Sequence, residues 1–477
     1  MSNKTPLDRS QLPEPVYEAE AEYIKLYWKA WEYAWDHVYE RPDTPAKRYM
    51  DEALDPDTIW IWDSCFMVLY CRYAPHYFPG IETLNNFYIA LHQKKNLPIK
   101  IHHIDNPPLF AWVEYEYFKY TGDLKRLKWV MEENRFLQKH YEFIKTLKRF
   151  RRKKVGTIPT FAKKREFGYQ WLGTPSGMDN TPRGRDKYLK ILWIDLLAQQ
   201  GLAAEHIIRI ARILDKKEVI TEYEKEYYQI KELLNQYYWN EQDGVYYDIK
   251  RKHPEEQVKV KTPATYWPML AGMCSESQAQ KLAENARDPH VFGGIAPWPS
   301  VSRDDPDFNP KGEYWRGGVW LPMAYLGTKA LDRYGFLEIA AKNAQKLLDH
   351  MVKIYNEYEP HTIWEVYSPT KPKPATYKGD KEVFRPNFCG WSALGPISMF
   401  IEDIIGFYEV NAVERVIQWR LDTSQRHGIK RFRVGEIITD ILYEDGKVSV
   451  DSNKPYTLII NSKDYQIKEG SQKIDLP

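Results

Sequence analysis

The sequence predicts a mainly helical protein that ends in a small β-rich domain. Between residues 14 and 406, apolar side chains recur at intervals of three and four, the spacing of one buried helix face. Beyond residue 406, short runs that mix apolar and polar residues are separated by turn-forming residues, as in a β-rich domain. We therefore expect a helical domain over 1–406 and a small β-rich domain over 407–477.

About twelve helices account for the helical pattern. Short turns join many of them, and helix-ending residues such as Gly80 and Gly122 mark several of these turns. The predicted helices span, in chain order, 14–39, 64–77, 81–93, 109–120, 124–147, 187–214, 216–238, 263–272, 277–286, 319–334, 336–355 and 391–405.

Three long loops interrupt the helices, over 156–185, 289–316 and 360–387. Loops of this length in a compact domain are usually functional or disordered. The three loops are rich in aromatic residues, which argues against disorder. We therefore expect functional residues on them.

The tail carries its own turn signals. The segment 408–422 fits either a last helix or a strand. Asp445-Gly446 is a favoured hairpin turn between two of the predicted strands. Those strands span 429–434, 436–443, 447–451 and 456–461.

The charge balance argues against nucleic acid and membranes as partners. Lys and Arg number 68 and Asp and Glu number 66, a formal net charge of +2, which provides no field to hold a polyanion. The basic run Lys148–Lys154 follows a predicted helix, and we interpret it as a solvated helix end. No stretch resembles a signal peptide or a membrane span, so we expect a cytoplasmic protein. The sequence carries no indication of the oligomeric state.

The aromatic content favours a carbohydrate partner, but only modestly. The 17 Trp and 35 Tyr exceed what a core of this size needs, and flat aromatic rings stack on the apolar faces of sugars. Helical proteins also bury many such rings between helices. The four cysteines lack metal-binding spacing, and we expect them to be small buried side chains: Cys65, Cys71, Cys274 and Cys389.

Two carboxylates lie in long loops among aromatic and turn-forming residues. Cleavage of a glycosidic bond needs a carboxyl group on each side of the scissile atom, one to protonate the leaving oxygen and one to activate water or attack directly. Asp179 follows the run Trp171–Met178, and it either caps a turn or acts in a cleft. Glu365 lies between Trp364 and Tyr367, and we interpret it as a carboxylate in an aromatic-lined cleft.

Two further segments fit the same cleft. Trp60-Ile61-Trp62-Asp63 opens a helix, where Asp63 caps the helix, accepts hydrogen bonds from sugar hydroxyls, or does both. Tyr314-Trp315-Arg316-Gly317-Gly318 also precedes a helix, and its paired glycines allow the backbone to approach a ligand closely. Arg316 either orients a carboxylate or hydroxyl there or is a surface residue on a tight turn.

Five segments carry a resemblance, namely Trp62-Asp63-Ser64, Ser176-Gly177-Met178-Asp179, Tyr314–Trp320, Trp364–Pro369 and Phe388–Ser392. Together, and in family order, they resemble glycoside hydrolase family 63 and the related trehalases. Because the predicted helices begin near residue 14, we expect no N-terminal β-sandwich of the kind that the larger members have. The chain is similar in size to the short bacterial members, which include mannosylglycerate and glucosylglycerate hydrolases. The β-rich tail departs from the family pattern.

The resemblance implies an (α/α)6 barrel that hydrolyses an α-linked glucoside or a related small α-glycoside with inversion. It makes Asp179 the general acid and Glu365 the general base, which in an inverting enzyme lie roughly 6.5–9.5 Å apart. It requires no organic cofactor. If the substrate carries a glycerate, Arg183, Arg185 or Arg316 is available to bind the carboxylate. The residues expected to contact the substrate are Trp62, Asp63, Trp315, Arg316, Trp364 and Trp391.

Two alternatives remain open. Barrels of this kind also host polysaccharide lyases, which need a Tyr or His base and a cation to neutralise a uronate, and the Tyr and Arg content permits both. A non-catalytic carbohydrate-binding protein would use the same carboxylates only as hydrogen-bond acceptors. The loop Asp304–Asn309 loosely resembles the start of a calcium loop but lacks its glycine and its late glutamate. We interpret it as a plain acidic loop and expect no bound metal.

Overall fold

The structure, a computed structural model, describes residues 5–53, 55–150, 160–379, 381–382 and 385–476. Helices dominate the chain as far as residue 405. Three π-helical stretches, at Trp129–Glu133, Leu234–Tyr238 and Gly395–Ile405, continue or replace regular helix. The helices α1 to α13 span, in order, Ala21–Asp36, Ile61–Cys71, Gly80–His92, Phe110–Thr121, Leu124–Lys128, Phe136–Lys145, Gly173–Ser176, Ile194–Ile213, Lys217–Leu233, Trp267–Leu270, Glu276–Arg287, Leu321–Arg333 and Leu337–Glu357.

Each predicted helix has a counterpart, and three predictions need correction. Glu14–Tyr17 is a strand, β1, because it pairs with residues 427–430 far along the chain. The predicted helix 124–147 is interrupted after Glu133, where Arg135 has a left-handed φ of 53°. The predicted helix from residue 187 begins only at Ile194, because a 3₁₀ turn and the short strand Ile191–Leu192 precede it.

The helices form two layers. Six segments contact one another in turn, namely α2, α4, α8, α10, α12 and residues 392–405, and the last of them contacts α2 again. A second layer packs on the outside of this circuit and contains α1, α3, α6, α9, α11 and α13. The burial patterns agree with these positions. Every residue of α2 is buried, whereas α13 buries a single stripe that includes Ala340, Ala344, Leu347, Leu348 and Met351.

Aromatic rings fill the space enclosed by the inner helices. Trp62 and Phe66 of α2 lie with ring centroids 4.9 Å apart, and Phe66 lies 6.0 Å from Trp112 of α4. Trp267 of α10 lies 6.3 Å from both Trp62 and Trp112. The interior is therefore a packed core rather than a channel.

Buried ion pairs join the inner helices at their C-terminal ends. Arg72, at the end of α2, contacts Glu402 at 2.6 Å and Glu116 of α4 at 2.8 Å. Lys329 of α12 contacts Glu402 at 2.7 Å. Cations and carboxylates alternate, so these buried charges are compensated by partners on neighbouring helices.

Two sheets follow the helices, and the four predicted tail strands are confirmed. One sheet has the order β1-β17-β18-β19-β22 and the other β15-β16-β20-β21. Asp445 and Gly446 have φ values of 48° and 77° in the predicted hairpin between β18 and β19. The ambiguous segment 408–422 forms two strands. The tail strands β15 to β22 span Glu409–Asn411, Val416–Trp419, His427–Val434, Ile437–Glu444, Lys447–Ser452, Tyr456–Ile460, Lys463–Ile467 and Gly470–Asp475.

Backbone hydrogen bonds attach the tail to the helical layers. The Ala412 N–H donates to the Lys119 carbonyl at 2.8 Å, and the Gly435 N–H donates to the Tyr120 carbonyl at 2.7 Å. Both carbonyls lie in the last turn of α4, where a helix has no partners of its own for its carbonyl groups. The remaining short strands β2 to β14 are Val38–Glu40, Arg48–Met50, Thr58–Trp60, Lys100–His102, Lys163–Arg165, Gly168–Gln170, Ile191–Leu192, Trp239–Asn240, Val245–Tyr246, Asp248–Lys250, Gln257–Val258, Thr376–Tyr377 and Lys381–Glu382.

Three smaller expectations can be compared with the structure. All four cysteines are buried and free, as predicted. Among the helices that the structure describes, none combines the length and apolar character needed to cross a bilayer. Most of the basic run, Arg151–Lys154, lies outside the described residues.

Candidate active site

The residues singled out in the sequence lie on the segments that lead into the inner helices. Asp63 is in the first turn of α2, and Asp179 lies in the loop between α7 and α8. Trp315 precedes α12. Glu365 lies in the loop after α13, and Trp391 directly precedes the last inner segment, residues 392–405. The starts of neighbouring inner helices thus gather side chains that are far apart in sequence.

Glu365 is a buried carboxyl group that contacts one hydroxyl group and one cation. Its side chain is 2% exposed. The Tyr314 hydroxyl donates to Oε1 at 3.2 Å, and the Arg385 guanidinium lies 3.4 Å from the same oxygen. Burial raises the pKa of Glu365 to about 7, against the opposing effect of Arg385 and the Tyr314 hydrogen bond. A carboxyl with this pKa exchanges a proton near neutral pH, as a general base must.

Asp179 is more open and is paired with a lysine. Its side chain is 25% exposed, and the Lys378 ammonium lies 3.1 Å from Oδ2. Burial raises the pKa of Asp179, while the charge of Lys378 acts to lower it. Gly177, two residues earlier, has a left-handed φ of 85°, and a Cβ there would lie 3.0 Å from the Trp62 ring. The glycine therefore allows the loop to pass closely over Trp62.

The loop that carries Asp179 is fastened to the loop before α12. The Asn180 amide oxygen accepts from the Trp315 N–H at 2.8 Å, and its NH2 group donates to the Glu313 carbonyl at 2.9 Å. Glu313 and Tyr314 have left-handed φ values of 37° and 64°, which are unfavourable for residues with side chains. This conformation places the Tyr314 hydroxyl on Glu365, so Asn180 links the two candidate carboxylates through the backbone.

Asp63 belongs to the same cluster, together with Glu52, which the sequence analysis missed. Both carboxyl groups are buried, and burial raises the pKa of each well above its ordinary range. The charge of Asp63 raises the pKa of Glu52 further, whereas Arg385 lowers both. A Cβ on Gly390 would lie 2.8 Å from the Glu52 Cβ, so Glu52 packs directly against the chain just before Trp391.

The structure brings Asp63, Asp179 and Glu365 into one electrostatic environment. The charge of Asp179 raises the pKa of Glu365, and the charges of Asp179 and Glu365 both raise the pKa of Asp63. Arg385 acts on all three carboxyl groups. The titrations of carboxyl groups that interact in this way depend on one another, and unequal surroundings suit one acid and one base.

The predicted tryptophans are more deeply buried than an open aromatic wall would be. Trp315 stacks on Trp320 with centroids 4.0 Å apart and an interplanar angle of 5°. The Trp391 indole N–H donates to the Glu365 carbonyl at 3.2 Å and thereby positions the residue. Trp62 and Trp364 are also buried. Contact of these rings with a substrate stays a prediction, and the hydrogen bond from Trp391 is the contact that joins one of them to Glu365 in the described residues.

One of the arginines expected to bind a carboxylate is not available. Arg183 is 1% exposed and is engaged by two buried partners, Asp195 at 2.6 Å and Asp248 at 2.8 Å. The prediction for Arg183 is therefore wrong, because its guanidinium is enclosed between α8 and β11. Arg185 forms an ion pair with Asp307. Arg316 is partly exposed in the loop before α12.

The sequence analysis did not single out Lys378 and Arg385, the two cations that contact the candidate carboxylates. Both lie in the long loop 360–387 that the sequence marked as functional. A lone cation in such a loop has no periodicity to reveal its partner. Only the fold places these two residues beside Asp179 and Glu365.

The acidic loop after Ser302 has protein partners for its oxygens. The Lys261 ammonium contacts Asp304 at 2.6 Å, and the Lys261 N–H donates to Asp305 at 2.7 Å. Asp307 pairs with Arg185. These contacts agree with the interpretation of a plain acidic loop.

Comparison with known proteins places this arrangement in a family. Residues 92–381, more than half of the chain, match the mannosylglycerate hydrolase MGH1-like glycoside hydrolase domain. An uncharacterized protein of Borreliella burgdorferi is 26% identical over 94% of both chains. The mannosyl-oligosaccharide glucosidase of Saccharomyces cerevisiae is 27% identical over 47% of this chain, which spans only 29% of that longer protein.

Two solved structures share the fold. A sialidase aligns with a TM-score of 0.71 and 13% identity over 97% of this chain and 40% of its own. A GH63 mannosylglycerate hydrolase from Thermus thermophilus, solved in complex with glucose, aligns with a TM-score of 0.55 and 20% identity, over 78% of this chain and all of its own. At these identities the structures are evidence for the fold alone. The match over residues 92–381 carries the assignment: the chain belongs to the family of mannosylglycerate hydrolase MGH1-like glycoside hydrolase domains.

Proposed function

We propose that the protein is an inverting glycoside hydrolase that acts on a small α-linked glucoside. The observation that carries this proposal is the pair Asp179 and Glu365, two carboxyl groups in one cluster with different surroundings. Glu365 is buried beneath Tyr314 and Arg385, whereas Asp179 lies at a more open position beside Lys378. Glycoside hydrolysis needs such a pair, because one carboxyl must give a proton while the other takes one.

In the proposed mechanism, Asp179 protonates the leaving oxygen and Glu365 accepts a proton from the attacking water. Tyr314 and Arg385 hold the Glu365 carboxylate in place. A base with a pKa of about 7 must lose its proton before it can act. We therefore expect kcat/KM to depend on pH with two limbs, one of them near pH 7 from the titration of Glu365.

An (α/α)6 barrel is the architecture that the helix contacts support. The six inner segments contact one another in a closed sequence, and a second layer of helices packs outside them. We propose that residues 1–406 form this barrel and its active site. Residues 407–477 then form a supporting β-rich domain to which β1 adds a strand.

The proposed substrate has a leaving group that bears a carboxylate. Lys378 contacts Asp179, the proposed acid, and Arg385 adds a second cation nearby. The family's name refers to a mannosylglycerate, and the yeast relative is named a glucosidase. A glucoside of glycerate satisfies both the cationic setting and these relationships.

The test is hydrolysis followed by proton NMR, which identifies the anomer released first. The panel contains trehalose, simple α-glucosides, mannosylglycerate and glucosylglycerate. We expect the β-anomer to appear first from an α-linked substrate and the reaction to be lost in Glu365→Gln. Glu357→Gln, an exposed change at the end of α13, is the matched control.

Other outcomes would replace the proposal. First release of the α-anomer would mean retention and would overturn the inverting assignment. A product that absorbs light through a new double bond would indicate a lyase. Binding of a sugar without turnover, unaffected by Glu365→Gln, would indicate a carbohydrate-binding protein.

A further inference from the structure

Lys378 occupies an unusual position for a residue beside a general acid. Its ammonium lies 3.1 Å from Asp179 Oδ2, over the Tyr314 ring at 5.2 Å from the centroid and over the Tyr377 ring at 5.6 Å. The two rings confine the ammonium on one side. Its side chain is nevertheless 41% exposed, so the other side faces solvent.

Before a substrate binds, these contacts favour the wrong protonation state for catalysis. An acid must carry its proton before the substrate reacts, yet an ammonium at this distance stabilises the Asp179 carboxylate. Glu365, the proposed base, has the pKa of about 7 and therefore keeps a proton more readily than an ordinary glutamate. The other charged or titratable groups that act on this pair are Arg385, Asp63 and Tyr314.

We propose that Lys378 is a positioning residue that holds the Asp179 carboxylate between turnovers and transfers its ion pair to the carboxylate of the substrate's leaving group. This inference rests on the proposed function, since it assumes Asp179 as acid. A lysine suits the exchange because its ammonium is a compact charge on a flexible stem, and moving it between two acceptors needs only rotation of side-chain bonds.

The protons balance over one turnover. When Lys378 leaves Asp179, the carboxylate takes one proton from solvent and Glu365 releases one to solvent. Asp179 then gives its proton to the leaving oxygen as the glycosidic C–O bond breaks. Glu365 accepts a proton from the water whose oxygen bonds to the anomeric carbon. The site ends with Asp179 ionised and Glu365 protonated, which is the state that Lys378 stabilises once the product has left.

The experiment compares pH profiles on two matched substrates, glucosylglycerate and glucosylglycerol, which differ in the carboxylate. Because the free enzyme keeps Asp179 ionised and Glu365 protonated, the acidic limb of kcat/KM reports Asp179 in the free enzyme, and the acidic limb of kcat reports Asp179 in the complex. For wild type on glucosylglycerate, we expect the kcat limb to lie about one pH unit above the kcat/KM limb. On glucosylglycerol, which offers Lys378 no carboxylate, the two limbs should coincide.

In Lys378→Met, the acidic limb of kcat/KM should move up by about one pH unit. The difference between the kcat limb and the kcat/KM limb on glucosylglycerate should then disappear. KM for glucosylglycerate should rise about fivefold relative to that for glucosylglycerol, because an exposed ion pair is lost. Lys378→Arg should return both the kcat/KM limb and the KM ratio part of the way to their wild-type values. Lys381→Met removes an exposed lysine from strand β14 and should change neither.

The failures are distinguishable. If Asp179→Asn is inactive but Lys378→Met leaves both limbs and the KM ratio unchanged, the role of Lys378 is overturned and the hydrolase assignment stands. If Asp179→Asn keeps wild-type kcat, the acid is misassigned and both proposals fall. If wild type hydrolyses neither glucoside, the substrate class is wrong and the inference fails with it.

Discussion

Replacing Glu365 by glutamine should stabilise the protein at neutral and alkaline pH while abolishing its activity. The carboxyl group is buried, and its pKa rises from the ordinary value of 4.5 to about 7. Each pKa unit corresponds to about 1.4 kcal/mol, so ionising Glu365 in the folded protein costs about 3 kcal/mol more than ionising it in the unfolded chain. Glutamine is neutral and avoids this cost.

The pH dependence gives the prediction its sign. Between pH 4.5 and 7 the folded protein holds the Glu365 proton more tightly than the unfolded chain does, so rising pH destabilises wild type. Glu365→Gln lacks this titration. The two proteins should therefore have similar free energies of unfolding at pH 4.5, and the variant should be more stable by about 3 kcal/mol above pH 7.5.

Urea unfolding at several pH values from 4.5 to 8.5 measures this difference directly. Glu357→Gln, an exposed change in the same part of the chain, controls for the loss of one negative charge. A Glu365→Gln variant whose stability relative to wild type does not change with pH would refute the reasoning, because the buried carboxyl would then have an ordinary pKa.

Three other substitutions test the site and its surroundings. Asp179→Asn should lower kcat by roughly 10²–10⁴-fold, measured by sugar release, because proton donation to the leaving oxygen is lost; near-normal turnover would exclude Asp179 as acid. Arg183→Met should lower the free energy of unfolding by about 3–5 kcal/mol, since two buried carboxylates lose their partner. The exposed Arg185→Met is its control, and an equal effect of both would count against a special role for burial. Gly177→Ala should lower the thermal midpoint and the activity together, because a φ of 85° is unfavourable for alanine and its methyl group would lie 3.0 Å from the Trp62 ring; an unchanged midpoint would show that the loop adapts.

Local patterns were enough to predict most helices and the tail hairpins. Leu337–Glu357 carries a clear apolar stripe. Asp445-Gly446 predicts a hairpin turn because both residues tolerate the positive φ that the turn requires. The helix predicted over 14–39 included Glu14–Tyr17, which instead forms strand β1. Its pairing with residues 427–430 is a long-range contact that no local pattern encodes.

The residues of the candidate site also fall into those that local sequence predicted and those that only the fold brings together. Asp179 and Glu365 were found because glycine, proline and aromatic residues surround them in the sequence. Arg183 looked equally suitable for a ligand, yet Asp195 and Asp248 reach it from two different elements and bury it. Lys378 and Glu52 carry no local signal, since their importance depends only on what the folded chain brings beside them.

The packed core beneath Asp63 has a kinetic consequence. Within the part of the chain that the structure describes, the rings of Phe66, Trp112 and Trp267 pack against one another between the inner helices, and we expect them to close the site on that side. If the protein is the proposed hydrolase, the substrate must then enter with its terminal glycosyl unit first. We expect the freed sugar to lie behind the leaving group and to depart second. Glucose should therefore inhibit competitively, whereas the leaving group, released first, should give mixed inhibition.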